Sequence, residues 1–146
     1  MSGAIEHFGR ENRAGGGGDG DAPGSAHLLH FLVRLPRRME EVWAAVSTAE
    51  GLGEWFAAVD VLEPRLDGLI ALRGLGSGRV TAWDVDRVAE YTLDDDRAGK
   101  LRFHLERDGD TGSVLRFTHE FRGEGGGTEA AWRIRFEDLV AVLERP

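Results

Sequence analysis

Two apolar stripes of helical spacing follow one another between Leu35 and Phe56, directly after an apolar strand. No other part of the chain constrains its fold as much. Met39, Val42, Trp43 and Val46 fall at i, i+3, i+4 and i+7, which places them on one face of a helix. Pro36 suits the exit of the preceding strand or the first helical turn. Leu52, Trp55 and Phe56 repeat the spacing over a shorter second helix, in which Gly51 and Gly53 lower the helical preference.

Beyond this run the period shortens to that of strands. The segment His27 to Leu35 is apolar-rich and ends at Pro36, so it reads as a strand. Val59 and Val61 alternate with polar residues, and Asp67-Gly68 marks a turn before Leu69 to Arg73. Gly74, Gly76 and Gly78 read as a loose loop, followed by strands over Val80 to Asp86 and Val88 to Leu93. Leu101, Phe103 and Leu105 alternate cleanly, as do Leu115, Phe117, His119 and Phe121. These two strands are expected to form an antiparallel pair across the polar loop of Asp108, Gly109, Asp110 and Gly112. Trp132, Phe136, Leu139 and Leu143 then mark a long amphipathic helix.

Residues 1–26 differ from the rest. Gly15, Gly16, Gly17 and Gly18 form an uninterrupted run, continued by Asp19, Gly20, Asp21, Pro23, Gly24 and Ser25. Such a segment buries too little apolar surface to offset its chain entropy. A flexible glycine-rich tail is expected over 1–26, then a single domain over 27–146.

The net charge of −8 argues against nucleic acid and against an anionic membrane surface, both of which call for clustered Lys and Arg. The chain has no cysteine, which removes disulfides, thiolate metal sites and Cys nucleophiles. No apolar stretch approaches the roughly 18–20 residues that span a bilayer, and the N-terminus lacks the basic-then-apolar order of a signal peptide. A cytoplasmic location is expected.

Several patches, in order, carry a family resemblance. They are Pro36 to Trp43 (Pro-Arg-Arg-Met-Glu-Glu-Val-Trp), Ala49 to Phe56 (Ala-Glu-Gly-Leu-Gly-Glu-Trp-Phe), Gly78 to Asp86, Val114 to Phe121 (Val-Leu-Arg-Phe-Thr-His-Glu-Phe) and Trp132 to Leu143. Together they resemble the family named for the activator of the heat-shock protein 90 ATPase. That family lies within the START, polyketide-cyclase and birch-pollen-allergen (SRPBCC) superfamily. Asp67-Gly68 stands where a Gly-Gly is usual, Ala131-Trp132 where a Gly-Trp is usual, and the Pro usual near the fifth strand is replaced by Asp86-Arg87-Val88.

The resemblance implies an α+β helix-grip fold: a curved antiparallel sheet wrapped around a long C-terminal helix, with two short helices after the first strand. It implies a cavity between sheet and helix and a hydrophobic small molecule as partner. No cofactor is expected. The resemblance also raises binding to a heat-shock chaperone. The eukaryotic activator, however, pairs this kind of domain with a separate N-terminal one, and 26 glycine-rich residues are too short to be that. A monomer or weak homodimer is expected.

The inner positions of such a grip include Trp55, Phe56, Trp83, Phe103, Phe117, His119, Trp132 and Phe136, the expected ligand-binding set. Trp55 and Phe56 are expected near the cavity mouth, Trp83 on the inner surface, and Trp43 and Trp132 in the core. His119 shares a face with Leu115, Phe117 and Phe121. It can act as an acid or base, or orient a ligand carbonyl, in a cyclase- or hydrolase-type enzyme. It can equally be a core histidine satisfied by a backbone carbonyl. Asp84 with Asp86, and Asp94 to Asp96, read as a solvated strand end and turn. No His-x-His or His-Glu-x-x-His spacing occurs, so no metal site is expected.

Overall fold

Alternation of apolar and polar residues builds one eight-stranded antiparallel sheet. The computed structural model describes residues 5–13, 26–123 and 128–145. The elements are β1 (Ile5–Arg13), β2 (Ala26–Leu35), α1 (Met39–Ser47), α2 (Ala49–Trp55), β3 (Val59–Leu62), β4 (Leu69–Leu72), β5 (Gly76–Asp84), β6 (Val88–Leu93), β7 (Lys100–Asp108), β8 (Gly112–Arg122) and α3 (Thr128–Leu143). The sheet order is β1-β2-β8-β7-β6-β5-β4-β3. The curved sheet and its C-terminal helix form the expected α+β helix-grip fold.

Cross-strand rows on the inner face explain how the core is made. One row runs Trp83, Ala89, Phe103, Phe117, Phe31 across β5, β6, β7, β8 and β2. The next runs Val80, Tyr91, Leu101, His119, Leu29. Directly opposed residues share a face, so each row is a stripe of the buried surface. A bulge between Val80 and Ala82 moves β5 by one residue, and this brings Trp83 into phase with the inner row. α3 lays Trp132, Phe136, Leu139 and Val140 against these stripes.

Three departures from the sequence expectations concern the edges. Ile5–Arg13, expected within a flexible tail, form β1 along β2, with a bulge between His7 and Gly9. Backbone pairing with β2 supplies what local composition does not encode, and Ile5 packs half-buried against the core. The glycine run of 15–18 lies outside the described residues. The loop expected over Gly74 to Gly78 is a shorter turn, because Gly76 and Gly78 already belong to β5. Trp43 is half-buried rather than a core residue. The buried face of α1 is Val42, Ala45, Val46 and Ser47, and the Trp43 ring lies edge-on to Trp83 at 5.1 Å.

The junction of α1 and α2 turns on Thr48. Its hydroxyl donates to the Ala44 carbonyl at 2.7 Å and accepts from the Gly51 N–H at 2.9 Å, capping α2. Gly51 sits so close to α1 that an added Cβ would fall 2.0 Å from the Ala44 carbonyl oxygen, whereas Gly53 has open space around it. The two glycines are therefore expected to respond with opposite sign. Gly53→Ala should raise stability by about 0.5–1 kcal/mol through helix propensity. Gly51→Ala should lower it, because the two helices must separate. Thermal unfolding of both variants checks this.

At the far end of the grip, Arg37 reaches from the β2–α1 connection to α3. It donates from Nε to the Leu143 carbonyl at 2.6 Å and from its terminal nitrogen to the Arg145 carbonyl at 2.9 Å. A cation on the last carbonyls of a helix satisfies orphan acceptors and the dipole together. Among the described residues no helix is long and apolar enough to cross a membrane.

Candidate functional site

The space between the sheet and α3 is filled by aromatic rings. Phe117, on β8, is their hub. Its centroid lies 4.3 Å from Trp132, 5.0 Å from Phe103 and 5.1 Å from Phe136. Phe31 joins through Phe136 at 5.3 Å. α2 closes the group from above. Trp55 stands perpendicular to Phe103 at 6.0 Å and stacks on Phe136 at 5.8 Å, and Phe56 stacks on Trp132 at 5.1 Å. Offset and edge contacts of this kind add roughly 0.5–1.5 kcal/mol per pair beyond burial.

Few polar groups enter the ring cluster, and those that do are satisfied, whereas the buried Ser113 hydroxyl at the start of β8 has no hydrogen-bond partner among the described residues. Trp55 Nε1 donates to the Ala45 carbonyl at 2.8 Å, which ties α2 to α1. The Tyr91 hydroxyl donates to the Val46 carbonyl at 2.6 Å, and burial raises its pKa above the ordinary phenol range. His119 is bonded through both nitrogens. Nδ1 accepts from the Trp132 indole N–H at 3.0 Å, so the remaining proton sits on Nε2 and is donated to the Ala98 carbonyl at 2.7 Å. An indole nitrogen can only donate, and this selects the neutral tautomer. Burial pulls the His119 pKa down to about 4. The Ala98 carbonyl opposes that shift, and the positive charge of Arg135 adds to it. His119 thus links the β6–β7 connection to α3.

The rim of the cluster is Phe56 and Arg135. Phe56 follows the last turn of α2, and its N–H bonds to the Leu52 carbonyl at 2.8 Å. The Arg135 guanidinium carbon lies 5.0 Å from the Phe56 centroid and 5.2 Å from that of Trp132. Cation–π attraction holds it there half-buried.

Seven of the eight residues expected to bind a ligand come together here: Trp55, Phe56, Phe103, Phe117, His119, Trp132 and Phe136. Trp83 does not join them. It shares the inner row but lies at its far end, half-buried against Trp43. Trp55, expected at a mouth, is 4% exposed and wedged inside the group, whereas Phe56 at 9% forms the rim. His119 takes the arrangement of a core histidine satisfied by a carbonyl and an indole, with no free nitrogen. The residue patterns singled out neither Tyr91 nor Arg135. Tyr91 alternates with Ala89 and Leu93 and was legible as inner-facing. Arg135, three residues after Trp132, carries no sequence signal beyond that spacing.

Among the described residues, open clefts lie on the surface. One of about 360 Å³ is lined by Leu93, Asp96, Lys100, Glu120 and Phe121. Two of about 520 and 540 Å³ flank the start of α1 beside Arg107. None is lined by Phe103, Phe117, Trp132 or Phe136. Among the described residues no three His, Asp or Glu side chains converge as a metal would require.

The fold defines a helix-grip domain, here with a buried aromatic centre. Solved structures share the fold. CalU16 from Micromonospora echinospora superposes with a TM-score of 0.74 at 21% identity, over 97% of this chain and 87% of that one. The Aha1 dimer from Colwellia psychrerythraea gives 0.63 at 19% identity, over 80% and 96% of the two chains. DynU16, a protein of the dynemicin biosynthetic locus, gives 0.64 at 17% identity, over 80% of this chain and 47% of that one. No family model and no curated protein sequence matches the chain.

Proposed function

We propose that this protein binds an apolar or aromatic small molecule between its sheet and α3, as a member of the START, polyketide-cyclase and birch-pollen-allergen superfamily. The observation that carries this is the ring cluster around Phe117. It is apolar, its few polar groups are already paired, and one side of it is closed by a single short piece. That piece is the end of α2, a seven-residue helix containing two glycines. A helix this short has little stability of its own. Outward rotation of Phe56 would uncover Trp132 and Trp55 and admit a flat apolar ligand in its place. An apolar site needs only a few placed polar groups for orientation, and the Nε2–H of His119 is one a ligand carbonyl could compete for.

The patches from Pro36 to Trp43 and Val114 to Phe121 support placing the chain near the chaperone-activator branch of the superfamily. A catalytic role for His119 is the weaker reading. To act as a base the ring must surrender the Trp132 indole, and among the described residues no carboxylate is hydrogen-bonded to it.

Truncating the rim tests the binding reading. Phe56→Ala leaves a void of aromatic size that an apolar guest can fill. The variant should bind naphthalene more tightly than the parent, with amide shifts centred on Trp55, Phe103 and Trp132. Trp43→Ala, at the other end, should leave binding unchanged. Absence of shifts in parent and Phe56→Ala alike, across a panel of apolar aromatics, would overturn the proposal.

A further inference from the structure

Arg135 occupies an unusual position for a cation in this molecule. Acidic residues outnumber basic ones 26 to 18, and many arginines lie beside a carboxylate, including Arg73 with Asp60, Arg97 with Asp95, Arg102 with Glu90 and Arg116 with Glu106. Arg135 has no carboxylate partner among the described residues. It lies instead over the faces of Phe56 and Trp132, at 5.0 and 5.2 Å. It is half-buried, and burial lowers its pKa from the ordinary guanidinium value. A partly desolvated cation without a counter-charge costs free energy that ring contacts offset only in part.

The geometry of the guanidinium says what would complete it. Its carbon lies about 5 Å from both ring centroids, and its N–H donors are arranged as a fork that matches two oxygens of one acid group. A flat ring replacing Phe56 would lie on Trp132 with the same guanidinium over it. A carboxylate on the edge of that ring would then meet the fork.

Resting on the binding reading above, we infer that the ligand is an aromatic carboxylate, its ring stacked on Trp132 and its acid group held by Arg135. The long-range field of a protein with net charge −8 opposes an anion, so the preference must come from this short-range contact. Arg135 is a specificity-determining residue, and the ring cluster supplies the apolar part of the affinity.

A matched pair of probes tests this. 2-Naphthoate and 2-naphthamide share shape and ring system and differ in charge. Titration at neutral pH, followed by tryptophan fluorescence and amide shifts, should show naphthoate binding about tenfold more tightly, as expected for a charge-assisted contact over a neutral one. Arg135→Met keeps the apolar stem but removes the cation over the ring, so it should weaken binding of both probes and abolish the preference between them. Arg135→Lys should keep part of that preference. Unfolding curves establish that each variant is folded. Equal binding of the two probes by the parent, or a preference that survives Arg135→Met, would overturn the inference and leave aromatic binding standing. If neither probe nor naphthalene binds to the parent or to Phe56→Ala, the binding reading itself fails and the inference falls with it.

Discussion

Phe117→Ala is expected to lower the unfolding free energy by about 3–5 kcal/mol, the range for removing a fully buried aromatic ring. Phe117 is 0% exposed, and its ring contacts Phe31, Phe103, His119, Trp132 and Phe136. Its neighbours come from β2, β7, β8 and α3, so no single element can collapse into the space left behind. A domain of this size has total stability of roughly 5–15 kcal/mol, so the variant should unfold at markedly lower urea concentration or not fold at all. Trp43→Ala is the control. Trp43 is the larger side chain, but it is half-buried against Trp83 at the edge of the sheet. Its loss should cost clearly less, and equilibrium urea unfolding separates the two. If the two variants lost the same stability, Phe117 would not be the centre of the core.

Acidification should produce the second large effect, through His119. Its folded-state pKa is depressed to about 4 from the ordinary histidine value of 6.5. Below pH 6.5 the unfolded chain takes up a proton at this position that the folded chain refuses until about pH 4, so stability falls as pH drops through that window. The contribution is fully present above the unfolded pKa. Its loss amounts to about 3 kcal/mol at the acid end of the window, at ~1.4 kcal/mol per pKa unit. The cause is first the burial of a charged ring; in addition, a protonated ring donates from both nitrogens and can no longer accept from the Trp132 indole. His119→Phe removes the titration. Its stability should therefore be flatter between pH 7 and 4 than that of the parent, although lower at neutral pH, because the Trp132 N–H and the Ala98 carbonyl lose their partner. Urea unfolding at a series of pH values distinguishes the profiles. Parallel profiles for parent and variant would show that His119 carries no such shift.

Much of the fold was legible because local periods report which face is buried. The stripes of α1, α2 and α3 and the alternation in β7 and β8 each point to one side of their own element. Where a partner decides the outcome, the local signal fails. β1 was hidden because Ile5–Arg13 is polar and interrupted by Gly9, and it becomes a strand only along the free edge of β2. Trp43 matched the helical stripe but lies at its margin, where the sheet no longer covers it. Gly51 reads as a weak helix position, yet it is the point at which α1 and α2 touch.

The candidate site shows the same division. Composition and spacing alone identified an aromatic inner surface with His119 on it, since apolar rings on a buried face are required by burial itself. Only the tertiary structure decided that the rings pack on one another and that both nitrogens of His119 are committed. It alone set Trp83 apart from the others and brought Arg135 over Phe56. These are relations between residues far apart in the chain, fixed by strand register, by one bulge in β5 and by the seating of α3. A one-residue period can say which way a side chain faces, but not which side chain it will meet.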